Sequence, residues 1–168
     1  MNKSIYLITG MILALLISNF AQAQETQEQE DVTSELKIFR VDNNQDGERL
    51  IAIDEIEAGD TVEYQLTYKN NMEEAITNLK PELPVPNGMQ MVPQTAKPSL
   101  VGAALQSQGT IQSLPIRTQY QLPNGETVTR DVSPDQFKRV QWMVNRLAEG
   151  ESVTLSVRML VTNPGNDS

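Results

Sequence analysis

Residues 56–68, Ile-Glu-Ala-Gly-Asp-Thr-Val-Glu-Tyr-Gln-Leu-Thr-Tyr, limit the possible folds more than any other stretch of this chain. After the glycine, Val62, Tyr64, Leu66 and Tyr68 alternate with Thr61, Glu63, Gln65 and Thr67. A sustained period of two marks a strand with one face in a core and the other in water. Residues 147–161 repeat the order: Leu147, then Gly150 and Glu151, then Val153, Leu155, Val157, Met159 and Val161 at alternate positions. Two long amphipathic strands launched by matching turns predict two packed sheets.

Composition narrows the chemistry. The 168 residues suit one domain plus an export signal. With 13 basic against 22 acidic side chains, net −9, the chain repels nucleic-acid phosphates and anionic lipid, so no nucleic-acid partner is expected. Cysteine and histidine are both absent. Disulfides, thiolate nucleophiles, Cys/His zinc sites and Ser-His-Asp devices are therefore excluded. The core must hold the fold without covalent staples.

Residues 1–23 read as a secretory signal peptide. Lys3 supplies the positive start, residues 5–17 are apolar apart from Thr9 and Gly10, and Ala21-Gln22-Ala23 predicts cleavage after Ala23. The apolar run is shorter than a spanning helix needs, so no stable membrane span is expected after cleavage. The mature protein is expected to be periplasmic or secreted. Residues 24–34 have almost no apolar content and read as a disordered acidic spacer. Residues 35–162 form the predicted domain, and 163–168 a polar tail.

Residues 35–41 read as the first strand. In the following Asp42-Asn-Asn44-Gln-Asp46-Gly47, oxygen side chains at alternate positions resemble the start of a calcium loop. Asp42, Asn44 and Asp46 are thus candidate calcium ligands, but the twelfth position of such a loop would be Ile53 rather than an acid. The other reading is a hairpin turn, with Asn, Asp and Gly supplying positive φ. Residues 50–56 read as a short strand and 75–83 as another, with Pro81, Pro84, Pro86 and Pro93 marking an edge, a bulge or a crossover. Residues 97–108 lack clear periodicity and read as a surface loop or short edge strand. Asn124-Gly125 between residues 117–122 and 126–132 predicts a hairpin. Ser133, Pro134 and Gln136 suit a single helical turn with a capping box. Trp142, aligned with Val140 and Val144, reads as a core anchor. Frequent short strands with almost no helix indicate an all-β, antiparallel β-sandwich.

Several of these pieces together resemble a known family. Ile56, Gly59, Asp60, Thr61, Val62, Tyr64, Leu66, Tyr68, Asn70 and Asn71 resemble the opening of the bacterial conserved-repeat domain of unknown function numbered eleven. Thr77-Asn78-Leu79, then Leu83-Pro84 and Gly88, resemble its middle segment. Trp142, Leu147 and Gly150-Glu151-Ser152-Val153-Thr154-Leu155 resemble its closing signature. The resemblance implies an immunoglobulin-like sandwich of about seven to eight strands, in an exported or cell-surface protein without known chemistry. This chain departs from the family in having one copy. It also stops soon after the strand starting at Ser152, so either the sandwich is one strand short or an edge is left open, and an open edge could accept a strand from a partner.

Asp54, Glu55, Glu57 and Asp60 cluster in sequence but read as solvated turn charges. Ser133 and Lys138 do not form a Ser-x-x-Lys motif, and no glycine-rich phosphate loop is present. No enzyme activity and no cofactor are expected. Two functions remain: a structural or protein-interaction component of the cell envelope with an envelope or extracellular protein partner, or a small-ligand or glycan-binding module. The second needs displayed rings, and only Tyr120 and Phe137 lie at positions read as exposed.

Overall fold

A computed structural model describes residues 31–44, 47–53 and 55–162. The expected signal peptide, most of the spacer, the polar tail, Asp46 and Asp54 lie outside the described residues. The described chain is all-β and antiparallel, as the alternating patterns predict. Its strands are β1 (Val32–Asn44), β2 (Gly47–Ala52), β3 (Thr61–Asn70), β4 (Ile76–Leu79), β5 (Glu82–Pro84), β6 (Met89–Met91) and β7 (Gly102–Ala104). They continue with β8 (Gln112–Ser113), β9 (Arg117–Gln121), β10 (Thr127–Asp131), β11 (Arg139–Gln141), β12 (Val144–Leu147) and β13 (Ser152–Val161).

The two long strands that dominate the sequence, β3 and β13, lie side by side in one sheet of order β2-β1-β3-β13-β6. They pair from Thr61↔Leu160 to Lys69↔Ser152. Their launching turns use the same device. Asp60 N–H donates to Glu57 O and the Asp60 carboxylate accepts from Glu57 N–H (2.9 Å). Glu151 N–H donates to Ala148 O and its carboxylate accepts from Ala148 N–H (2.7 Å). Gly59 and Gly150 take the positive φ (95° and 67°) that such turns require and that a Cβ disfavours.

The facing layer is made of short strands. β4 pairs with β12, and β5 with β11, and β11 pairs on with β7 and β7 with β8. Leu79 faces Val144 and Leu83 faces Val140, so the register runs unbroken from β4–β12 into β5–β11. Between them Trp142 N–H donates to Pro81 O (3.0 Å). Pro81 has no N–H to return, which interrupts one ribbon into two named pairs. Such fragments help explain why thirteen strands replace the expected seven or eight. The β1–β2 hairpin at the edge of the main sheet and the separate β9–β10 ribbon add to the count.

Val62, Tyr64, Leu155, Val157, Met159 and Val161 on the long strands bury against Leu83, Ala103, Val140, Trp142, Val144 and Leu147 of the facing layer. Trp142 is fully buried as expected, and its indole N–H donates to Pro98 O (2.9 Å). Met89 and Met91 seal the β6 side.

Four expectations change. β1 begins at Val32, inside the stretch read as spacer, because it pairs along β3 as far as Asn70. Residues 97–108 are not merely surface. They contain β7, fully buried between β11 and β8. Its Gly-Ala-Ala makes a strand without an apolar signal, and a Cβ on Gly102 would lie 2.6 Å from Ile111 Cγ2. Ser133 precedes a 3-10 turn, Pro134–Gln136, but its side chain makes no capping bond. Phe137 is buried, not displayed.

Asn70 ties the layers together. This fully buried side chain donates to Glu74 O, Leu147 O and Ala148 O (2.8–3.1 Å) and accepts from Met72 N–H. It thereby closes both the β3–β4 and β12–β13 connections. Asn70→Ala strands these groups, and equilibrium denaturation should show a loss of about 2–4 kcal/mol. Val62→Asp or Leu155→Asp, each placing an unpaired charge in the core, should abolish the cooperative melt.

Candidate functional surface

The β1–β2 hairpin closes at Asn44↔Gly47, with Asp42 opposite Arg49. A two-residue connection between two closely paired strands is hairpin geometry. Asp42 and Asn44, two residues apart on β1, share a face, but Asp42 already stands across from a guanidinium side chain. The third candidate, Asp46, lies outside the described residues. Among the described residues no group of three or more His, Cys, Asp or Glu side chains is placed to hold a metal ion.

The hairpin is fastened to the main sheet by Arg158. On β13 this residue sits opposite Glu63 of β3, and its Nε donates to Glu63 Oε2 (2.9 Å). Its Nη1 donates to Glu48 Oε2 on β2 (2.7 Å), and Nη2 reaches Glu48 Oε1, giving a two-pronged contact. Thr95 Oγ1 accepts from Arg158 N–H (3.1 Å), and Lys97 pairs with Ser156 through both main-chain bonds. Hydrogen bonding from Arg158 holds the Glu48 carboxyl below its ordinary 4.5, and the two glutamates raise Arg158 further. These charges line one recess but satisfy one another, so the cluster is a clamp and presents no free acid–base pair.

The remaining sequence candidates scatter. Glu57 and Asp60 are used in the turn that launches β3, and Asp54 lies outside the described residues. Of the rings, Tyr64 is buried and only partly screened Tyr68 packs against the core, whereas Tyr120 is exposed on the β9–β10 ribbon. Burial raises the phenol pKa of both Tyr64 and Tyr68. An apolar recess of about 310 Å³ lies between the β6 end and the 3-10 turn, lined by Met91, Ala96, Leu100, Leu114, Pro134 and Phe137 among others. No helix among the described residues is long and apolar enough to cross a membrane.

The most exposed apolar residues of the main sheet lie on β1 and β2. Leu36 and Ile38 pair across from Leu66 and Tyr64, so they occupy the core-side face of the sheet. Yet Leu36 is 48% exposed and Ile38 37%, because the facing layer does not extend over β1. Ile51, opposite Arg40, continues this row onto β2. Sequence reading assigned Leu36 and Ile38 to one face but missed that the face is uncovered there, since strand order is not written in a local pattern. Comparison with models of protein families, with curated proteins and with solved structures found no match for this chain.

Two outcomes test this surface. Glu48 titrates below its unfolded value, so its contribution is complete above pH 4.5 and drains as pH falls through the lowered value. Glu48→Gln should therefore speed amide exchange in residues 41–50 at neutral pH and flatten its acid dependence. Millimolar calcium should leave the thermal melt unmoved, whereas an upward shift would establish a site at Asp42, Asn44 and Asp46.

Proposed function

We propose that this chain is an exported, noncatalytic, immunoglobulin-like β-sandwich acting as a structural or protein-interaction component of the bacterial cell envelope. The leader pattern at residues 1–23 supports export, and the family resemblance supports the envelope setting. The observation that carries the interaction reading is the uncovered core-side face of β1 and β2, with Leu36, Ile38 and Ile51 in water. The apolar recess beside Phe137 favours the runner-up, a small-ligand module; for glycans, Tyr120 is the one clearly displayed ring among the described residues. Photocrosslinkers placed across the surface in living cells should capture a protein partner. Tryptophan emission should be blue-shifted and unchanged by added glycans. Quenching by a sugar, with no captured protein at any position, would favour the runner-up.

A further inference from the structure

The hydrogen-bond phase of β1 is readable. Asn71 N–H donates to Asp31 O (3.0 Å), continuing the β1–β3 ladder, so the odd-numbered residues of β1 turn their main-chain groups toward β3. The hairpin agrees: Asn44↔Gly47 closes it, so even-numbered residues turn toward β2. β2, however, ends at Ala52 beside Phe39. The N–H and C=O groups of Val32, Ser34 and Leu36 therefore point to the outer edge, where no described strand pairs with them. Residues 33–38 are exposed throughout.

We propose that the free edge of β1, residues 32–38, receives an extended strand from a different protein, which adds to the main sheet in line with β2. This inference rests on the interaction-module reading and names its surface. The edge selects the occupant: only an extended main chain can satisfy donors and acceptors repeating every second residue. Its core-side residues must be apolar and alternate, to cover Leu36 and Ile38. The net charge of −9 disfavours acidic side chains on the incoming segment. Ala52 bounds its length at about seven residues, the span of the open edge.

A second copy of this chain fits less well. Any antiparallel pairing of two β1 strands must clear β2 beside Phe39. The longest register that does so sets the two Glu35 side chains directly opposite each other, which is destabilising. Glu35 and Lys37, paired with each other at 3.0 Å, are also charges of the kind that deter edge-to-edge self-association.

The test uses the purified full chain and a synthetic heptapeptide, Thr-Val-Lys-Val-Thr-Val-Thr. Binding should slow amide exchange at Ser34 and Leu36 but not at Glu35, whose amide already faces β3. N-methylating the peptide's edge-facing amides should weaken binding at least tenfold. Leu36→Lys, at a half-exposed site, should do the same with an unchanged melt. Equal binding by the N-methylated peptide, unprotected Ser34 and Leu36 amides, or a stable dimer closing this edge would overturn the proposal. Cellular crosslinking separates it from the broader reading. Capture through Tyr120 or elsewhere but never through β1 defeats the edge and keeps the interaction module; capture at no position defeats the module itself.

Discussion

The structure depends on the pairing of β3 with β13. These strands supply the largest share of one wall of the core: Val62 and Tyr64 from one, Leu155, Val157, Met159 and Val161 from the other. Each strand is also held at its end by the turn that launches its neighbour. Val161 N–H donates to Asp60 O and Gly59 N–H to Val161 O at one end, and Asn70 N–H donates to Glu151 O at the other. The pair thus carries an approximate two-fold relation, visible in sequence as the repeated glycine–acid step. A one-residue slip of either strand would turn its apolar row outward and break both clamps together.

The rest of the molecule is arranged around that pair with less regularity. The facing strands β4, β5, β7, β8, β11 and β12 must cover one face of the two long strands, and they do so with two- to four-residue pieces, while the β9–β10 ribbon projects. Proline interrupts the ladder without shifting its register, and Trp142 fills the interruption with the bulkiest fully buried side chain of the core. The cover extends only part of the way. Where it stops, β1 keeps a core-type face without a core.

Sequence was most informative where period and burial coincide. β3, β13, the β9–β10 hairpin and the buried row Val140, Trp142 and Val144 all follow from alternation and turn chemistry. β7 was illegible because Gly102, Ala103 and Ala104 are small enough to pack centrally while carrying little apolar weight. Phe137 was misplaced because a residue just after a 3-10 turn has no strand phase to show which way it points. The Arg158 clamp was invisible for a different reason. Its partners Glu63 and Glu48 stand 95 and 110 positions away, and only the sheet order brings them together.

The same sheet order governs when the molecule can come into being. The hydroxyls of Thr67 and Thr154, joined across the central pair, are separated by 87 positions. Contacts that distant must await closure of a long loop, and closing it costs entropy before any burial offsets it. A ribosome that has released β1 to β3 but not β13 has produced an apolar row paired on one side only. The wall of the core that Leu155, Val157, Met159 and Val161 supply therefore closes only when the last described strand arrives.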